Sequence, residues 1–346
     1  MPHHRPIALS GAERPGQVSP TEQVALYFEG DAGDSRRIGH AQLCDEVDRA
    51  AGALRALGVG RDDRVALHLP MIPELVVALL ACDQVGALPT TLAGRPGTGP
   101  EPADEPLGGD RGTQAELVIT ADGGYRQGWP VAWKPAVDRA LDGRRSAPPV
   151  LVVRRTGRPV TWTPGRDHWW HDVTRYRPVR PRGRRPVEGG PGQFGLRTGG
   201  DVLWCTADSD WLVENPAAVR EPLAAGATQL IWEGEPRGDA PESLWRLVEK
   251  YGVTVWHADP GALTELLRGT PAPVDGYDLS SLRQVAGLGA GLGPGAPGGG
   301  WFWRRERLGA GRSTAWELCD RARSRFEAPS RPEVPAQRRA RLSAVR

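Results

Sequence analysis

The sequence predicts an α/β fold built from parallel β-strands and connecting helices. Short apolar runs recur along the chain, and longer segments with helical periodicity lie between them. Glycine or proline ends several of these runs and segments, as expected at the boundaries of strands and helices. Strands that alternate with helices indicate βαβ units with right-handed crossovers.

The first half of the chain supplies two helices and three strands. Residues 41–58 predict a helix, because apolar side chains recur on one face until Gly58 stops the pattern. The run at 64–69 predicts a strand that Pro70 ends, and Ile72–Val85 predicts an apolar helix with proline in its first turn. Two further runs suit buried parallel strands, Leu117–Thr120 and Val150–Val153.

The second half repeats this alternation of strands and helices. Strands are predicted by three short apolar runs: Val202–Thr206, Gln229–Trp232 and Val253–His257. Helices are predicted by three longer segments: Pro216–Ala225, Pro241–Tyr251 and Gly261–Leu267. The expected core is an incomplete doubly wound sheet system over about residues 23–282.

Composition limits the classes of protein to which the chain can belong. With 346 residues, 39% of them apolar and 25% charged, it can bury a sizeable core. The net charge of +2 predicts no anionic partner for the chain as a whole. The four cysteines lie far apart without C-x-x-C spacing, so neither a zinc site nor a disulfide framework is expected. No apolar segment reaches 18 residues and no leader is visible, so we expect a cytoplasmic protein without a membrane anchor.

Two stretches interrupt the alternation. Between residues 174 and 200, 18 of 27 residues are arginine, proline or glycine, and the segment 321–346 is similarly aperiodic and basic. Both are predicted to be mobile, because they bury too little to offset the entropy of ordering a backbone. The predicted organisation is therefore a disordered start (1–20), a first α/β part (21–173), a linker (174–200), a second α/β part (201–320) and a disordered tail (321–346).

Eight strings, in order, resemble AMP-forming acetyl-CoA synthetases of the adenylate-forming superfamily. They are LPMIPELVVALLA, LVITADGG, GRDHWWHD, WCTAD, PLAAGAT, EGEP, VEKYGV and DLSSLR, and the resemblance covers about residues 22–320. It implies part of a large α/β domain that would precede a small mobile one. It also implies activation of acetate by ATP to acetyl-adenylate, with magnesium assisting, and attack by coenzyme A. A nucleotide and coenzyme A are thus the implied ligands.

Some positions keep the residues that the resemblance assigns to a ligand site. Arg126 and Gly128 match a basic turn that contacts coenzyme A, although Trp129 replaces its second cation. Gly289 and Thr314 match nucleotide-binding residues, and Trp316 matches a tryptophan that limits the acyl pocket to acetate. The alternatives are that Arg126 is an exposed loop arginine and that Trp316 is a core residue.

Other positions depart from the family pattern. The Ser/Thr/Gly-rich phosphate loop with its lysine should lie between Asp172 and Trp204, where the Arg/Pro/Gly stretch stands instead. A pocket threonine is replaced by Val213, and the glutamate that would hold magnesium is replaced by Cys319. The C-terminal domain with its lysine is expected to be absent, because 26 residues follow Asp320. No catalytic residue is therefore predicted.

A metal site is not predicted either. His168 and His171 have a spacing that metal ligands could use, beside Asp167 and Asp172. They belong to a string in which two tryptophans predominate, so packing is the prediction.

Three functions stay open on the sequence. The favoured hypothesis is an acetyl-CoA synthetase homologue with impaired catalysis. An active acetate– or acyl–CoA ligase is the second. The third is a non-catalytic protein that binds acidic partners through its arginines, but few aromatic residues lie between the arginines, which does not favour a nucleic-acid partner. The sequence gives no indication of oligomeric state.

Overall fold

A computed structural model describes residues 23–92, 114–144, 146–175, 194–197, 200–235, 242–258 and 276–287, with the backbone of 302–304. Within these residues the strands are β1 (Val24–Glu29), β2 (Ser35–Gly39), β3 (Arg64–His68), β4 (Leu88–Thr91), β5 (Leu117–Ala121), β6 (Gly123–Arg126), β7 (Trp129–Ala132), β8 (Val150–Val153), β9 (Asp167–Trp169), β10 (Val202–Cys205), β11 (Thr228–Trp232), β12 (Val255–Ala258), β13 (Gln284–Gly287) and β14 (Phe302–Arg304). The helices are α1 (His40–Ala56), α2 (Pro73–Val85), α3 (Lys134–Leu141), α4 (Trp170–Val173), α5 (Ser209–Glu214), α6 (Ala217–Ala224) and α7 (Glu242–Tyr251).

The larger sheet has seven strands in the order β14-β13-β12-β10-β11-β1-β2. Its five central strands run parallel, whereas β2 and β14 pair antiparallel at the two edges. Strand β1 lies beside β11, with Leu26 opposite Gln229. The described strands β1 and β2 therefore complete a sheet whose other five strands come from residues beyond 200.

The smaller sheet has five parallel strands in the order β4-β3-β5-β8-β9. A two-stranded antiparallel hairpin, β6–β7, follows β5 directly. Parallel strands place their carboxyl ends at one edge of a sheet, and ligands of α/β proteins bind outside that edge. The hairpin begins at this edge.

The two sheets enclose a shared core. Alternate residues of each strand point to opposite faces, so Leu26 of β1 and Leu67 of β3 contribute to the same central cluster. Helices α1, α2, α5 and α6 contribute to that cluster between the sheets. On the outer faces, Leu244 of α7 packs with the larger sheet and Val137 of α3 with the smaller one. The molecule is therefore a layered α/β structure, as predicted.

The predicted helices and strands are confirmed with small shifts at their ends. Helix α2 is buried nearly all round, as expected of a segment without a polar face, and Cys82 packs inside it as a small apolar side chain. The strand predicted over Val253–His257 begins two residues later, at Val255. The helix predicted over Gly261–Leu267 lies outside the described residues.

The prediction that all of 174–200 buries little is wrong at its C-terminal end. Phe194 and Leu196 are buried in the central cluster. The backbone N–H of Arg197 donates to Asp201 at 2.6 Å. These two apolar side chains interrupt a polar stretch, and their burial anchors the approach to β10. The segments 1–20, 176–193 and 321–346 lie outside the described residues.

Candidate functional site

A cleft of about 280 Å³ lies where the carboxyl edges of the two sheets meet. The residues that follow β1, β10 and β11 form one side of it, and the hairpin with the residues that follow β3 forms the other. Its walls combine carboxylates, two arginines and large apolar or aromatic side chains, among them Met71, Tyr125, Trp133 and Trp232. A concave site with an apolar lining and a few polar groups is the usual form of a small-molecule pocket.

Glu233, which follows β11, connects the two sheets at the base of the cleft. Its side chain is fully buried and accepts hydrogen bonds from the backbone N–H of Tyr125 at 3.1 Å and of Asp31 at 3.3 Å. Arg155, which follows β8, donates to it at 2.6 Å through Nη2. A buried carboxylate needs several such partners, because an unpaired charge is strongly disfavoured away from water. Glu233 therefore fixes three segments at once.

Arg155 is held from both sides. It donates to Asp34 at 2.8 and 3.0 Å, and its guanidinium carbon lies 4.8 Å from the centre of the Tyr125 ring. Burial opposes its charge, but the hydrogen bonds that it donates to Glu233 and Asp34 outweigh that effect and raise the pKa of Arg155. The guanidinium therefore stays charged and joins the β1, β8 and β11 loops.

Asp122 fixes the loop that carries Arg155. It is buried directly after β5, and its carboxylate accepts backbone hydrogen bonds from Arg155, Thr156 and Gly157 at 2.7–2.9 Å. Three successive N–H groups that converge on one carboxylate define the course of a loop. This explains why an acidic residue ends the strand in the string LVITADGG.

The hairpin places Arg126 in the cleft wall. Its two-residue turn, Gln127 and Gly128, has positive φ at both positions, +55° and +76°, which is the signature of a type I′ turn. The Gly128 N–H donates to Asp31 at 2.7 Å. Arg126 forms an ion pair with Glu235 at 3.0 Å, and Trp129 is 76% exposed.

The glycines before this turn allow close packing of the hairpin. A Cβ atom on Gly124 would lie 2.9 Å from the Trp133 indole nitrogen and 3.1 Å from Pro70. On Gly123 it would lie 2.7 Å from the Val131 carbonyl oxygen. These neighbours cannot move freely, because the Val131 oxygen is backbone and the Trp133 ring and Pro70 lie within the cleft wall. The pair Gly123–Gly124 is therefore required for this approach.

Carboxylates on the opposite side of the cleft are also held. Glu29, at the end of β1, accepts from Lys250 and from the Tyr251 hydroxyl, each at 2.6 Å. Asp208 caps helix α5 by accepting from the Trp211 N–H at 2.7 Å. Both acids have structural partners, so this wall is built before any ligand arrives.

Two buried histidines lie near the ends of central strands. Burial lowers the pKa of His68 to about 4, and a hydrogen bond with the Trp133 backbone opposes this only in part. Burial likewise lowers the pKa of His257 to about 4, and its ring lies 5.4 Å from that of Phe194. Both imidazoles are therefore neutral near pH 7.

The predicted site residues are distributed unevenly. Arg126 lines the cleft, whereas Gly128 lies at the turn and uses its N–H on Asp31. Gly289, Thr314 and Trp316 lie outside the described residues. The position predicted to have lost a threonine, Val213, is buried in the central cluster through α5.

Sequence reasoning assigned no role to Glu233, Glu235 or Arg155. The first two belong to the string EGEP, and that string was the one signal that could have identified them. Arg155 follows a predicted strand without any recognisable motif. Its pairing with Glu233 joins residues 78 positions apart, which local sequence patterns do not encode.

The histidine-containing string packs through ionic contacts. Asp167 lies beside Lys134 Nζ at 2.8 Å and Arg166 Nε at 2.6 Å, and all three are mostly or fully buried. His171 is half-exposed, 3.8 Å from Asp172. Within the described residues, no group of three or more His, Cys, Asp or Glu side chains could hold a metal ion.

None of the helices in the described segments is long and apolar enough to cross a membrane.

Comparison with known proteins gives one consistent family. The family model described as AMP-binding enzyme matches residues 13–103 and 185–299. Acetyl-coenzyme A synthetase of Streptomyces avermitilis is 38% identical over 340 residues, which cover 89% of this chain and 51% of that protein. The Streptomyces coelicolor protein of the same name is 37% identical over 337 residues, which cover 88% of this chain and 50% of that protein. The Rubrobacter xylanophilus protein of the same name is 34% identical over 323 residues, which cover 84% of this chain and 49% of that protein. The chain thus spans about half the length of the curated relatives it matches.

Proposed function

Because the chain belongs to the family of AMP-binding enzymes and is acetyl-CoA synthetase-like, we propose that it is a member whose adenylate-forming step is strongly impaired. In the two-step reaction that the resemblance implies, ATP activates acetate to acetyl-adenylate and coenzyme A then takes the acetyl group. We propose that this chain retains a ligand site without the first step. The site is a cleft that holds coenzyme A or a nucleotide fragment weakly beside Arg126. We also propose a cytoplasmic location.

The observation that carries this proposal is the composition of the segment between α4 and β10. Binding of triphosphate oxygens needs converging backbone N–H groups and a cation in a fixed position. Residues 174–200 contain four prolines, which have no N–H to donate, and no lysine. Seven arginines supply charge, but charge alone does not preorganise a transition state.

Replaced positions elsewhere support impairment of the same step. Val213 has no hydroxyl with which to contact a ligand, and its side chain is only 2% exposed within the core. Cys319 stands where the resemblance places the carboxylate that holds magnesium. A thiol is a poor ligand for this hard cation, which prefers oxygen. These losses concern groups that act together, so their effects overlap rather than multiply.

The cleft supports the proposal of a residual ligand site. Its lining offers aromatic surface at Tyr125 and Trp232 and a partly exposed guanidinium at Arg126. A ligand that joins an uncharged flexible arm to phosphate groups, as coenzyme A does, fits such a lining in chemical type. The volume of about 280 Å³ lies near the lower end of that of ligand pockets, which is consistent with a small or partial ligand.

The test is acetate-dependent exchange of pyrophosphate into ATP, measured on the purified full chain with magnesium. We expect exchange at the level of a blank without protein. Removal of one transition-state donor costs roughly a hundred- to a thousandfold in rate, and here the whole phosphate loop is replaced. The variant Trp316→Gly serves as the control for an acetate pocket. Exchange clearly above the blank that this variant abolishes would contradict the proposal and establish an active ligase instead.

A further inference from the structure

Glu235 forms an ion pair with Arg126, whose guanidinium is the group that a phosphate would contact. It lies in the segment directly after β11, and its Oε2 is 3.0 Å from Nη2 of Arg126. The two side chains are 34% and 31% exposed, so solvent and ligands can reach both. The Nε atom of Arg126 is buried and has no hydrogen-bond partner within the described structure. The guanidinium therefore holds one carboxylate and keeps an unused donor.

The charge of the cleft is dominated by acids. Its described lining includes five carboxylates and two guanidiniums, those of Glu29, Asp31, Asp208, Glu233, Glu235, Arg126 and Arg246. Glu29 and Glu233 are already paired with Lys250 and Arg155, neither of which lines the cleft. The net charge that a ligand meets at Arg126 therefore depends on Glu235, the carboxylate in direct contact with this guanidinium.

We propose that Glu235 is a specificity-determining residue of this cleft, and that its carboxylate competes with polyanionic ligands for Arg126. This inference rests on the proposed placement of a ligand beside Arg126. A phosphate group that approaches the guanidinium must either displace Glu235 or bind next to it. Displacement breaks the ion pair between Glu235 and Arg126, and binding next to Glu235 brings like charges together. Both routes lower the affinity for anions, whereas uncharged or apolar ligand groups are unaffected.

Removal of the Glu235 charge should therefore increase the affinity of the cleft for anions. Glu235→Gln keeps the shape of the side chain and a weak contact with Arg126, but it removes the competing charge. Inorganic pyrophosphate is the probe, because it carries high charge and no group that the apolar wall could hold. We expect Glu235→Gln to bind pyrophosphate about tenfold more tightly than the wild type in a low-salt, metal-free calorimetric titration.

Two controls locate the effect. Glu242→Gln makes the same charge change on the exposed first turn of α7, outside the cleft lining, and should bind pyrophosphate as the wild type does. The double variant Arg126→Ala/Glu235→Gln should lose the gain. Glu235→Ala provides a second test of the same loss of charge if the glutamine variant does not fold.

The proposal is overturned if neither Glu235 variant binds pyrophosphate more tightly than the wild type, including the case in which none binds it. It is also overturned if Glu242→Gln gives an equal gain, because the effect would then be one of net charge. The proposed impairment of adenylation is judged separately by pyrophosphate exchange into ATP, so either proposal can fail while the other stands.

Discussion

The buried imidazole of His68 makes the stability of this fold depend on pH. It lies at the end of β3 with its ring centre 4.8 Å from that of Trp133, and its Nε2 has no hydrogen-bond partner in the described structure. Burial lowers its pKa to about 4 from a usual value near 6.5. The unfolded chain therefore binds more protons than the folded one between these values, and stability falls as pH falls from about 6.5 to about 4.

Replacement of this histidine should flatten the pH dependence. For one such group, the free energy of unfolding drops by about 2 kcal/mol between pH 7 and pH 5. We expect His68→Phe to show a drop smaller by about this amount, whatever its stability at pH 7. Urea unfolding at both pH values measures the difference. His171→Phe is the matched control, because this histidine is half-exposed and should leave the drop unchanged. An equal drop in the wild type and His68→Phe would show that His68 titrates normally.

Arg126 is the residue through which the proposed ligand site can be tested directly. Its guanidinium is partly exposed in the cleft wall. A charge-assisted hydrogen bond to phosphate contributes about 1.5–3 kcal/mol, of which competition by Glu235 removes part. We expect Arg126→Ala to weaken coenzyme A binding about three- to tenfold in a calorimetric titration.

The control for Arg126 is Arg139→Ala, which removes the same charge from the exposed face of α3. It should leave the affinity for coenzyme A unchanged. If Arg126→Ala also binds coenzyme A as the wild type does, the ligand is not beside this arginine. The role assigned to Arg126 from the family motif would then be wrong.

At the scale of single elements, the hairpin turn is the clearest case of a residue that does not suit its backbone. Gln127 has φ of +55°, in the left-handed region that disfavours most side chains, whereas Gly128 beside it adopts +76° without cost. Type I′ turns prefer Asn-Gly because asparagine tolerates this conformation. The exposed site of Gln127 leaves room for the change.

Gln127→Asn should therefore stabilise the protein. We expect a gain of about 0.5–1 kcal/mol in the free energy of unfolding, measured with urea, because the preferred residue relieves strain at one turn position. Gln127→Ala is the matched control and should give no gain, since alanine is as restricted as glutamine at positive φ. Gly128→Ala should cost about 1 kcal/mol or more. Equal stability of the asparagine and alanine variants would show that this turn is not strained.

The same element shows how far the sequence could predict the fold. The buried strands β5 and β8 were predictable because every residue in them is apolar or small and faces a core. Strand β2 was not, because its residues SRRIG are mostly exposed at a sheet edge and carry no alternation. The short strands β6 and β7 depend on a turn, Gln-Gly, that is weak as a signal.

The site was less predictable than the fold for a physical reason. Arg126 was predicted as a ligand contact only because it matches a basic turn of the family, and the structure places it in the cleft wall. The contacts that hold the cleft together join distant segments, such as Arg155 with Asp34 and Glu233. These pairs depend on the arrangement of two sheets, and a carboxylate on a loop looks the same in sequence whether it is solvated or buried.

For the whole molecule, the relation between the two sheets is the decisive feature. Apolar packing of α1 and α2 holds the sheets apart at a fixed spacing, but it is non-directional. Directional contacts between the sheets are concentrated at the carboxyl edges, where Glu233 receives hydrogen bonds from β6 and from the loops after β1 and β8. The cleft exists because these edges are fixed against each other. Its integrity and the stability of the whole fold should therefore depend on one buried ion pair.

Removal of either partner of this pair should destabilise the entire molecule. Glu233 is fully buried, so Arg155→Gln leaves it without its cation, whereas in Glu233→Gln the guanidinium of Arg155 keeps its ion pair with Asp34. Loss of one partner of a buried pair costs about 3–5 kcal/mol, and we expect this for Arg155→Gln and a smaller cost for Glu233→Gln. The double variant should cost less than the two single changes together, because no uncompensated charge remains.

The matched comparison is Glu74→Gln, which breaks the Arg36–Glu74 pair of 3.0 Å on the surface. The Arg36 side chain is 41% exposed and that of Glu74 is 23% exposed, and such pairs contribute less than about 1 kcal/mol. Urea unfolding of all four variants gives the free energies, and the coupling between Glu233 and Arg155 follows from the cycle. A cost for Glu233→Gln no larger than that for Glu74→Gln would mean that apolar packing alone sets the arrangement of the sheets. The cleft would then have to persist in Glu233→Gln, so unchanged coenzyme A affinity in that variant would complete the contradiction.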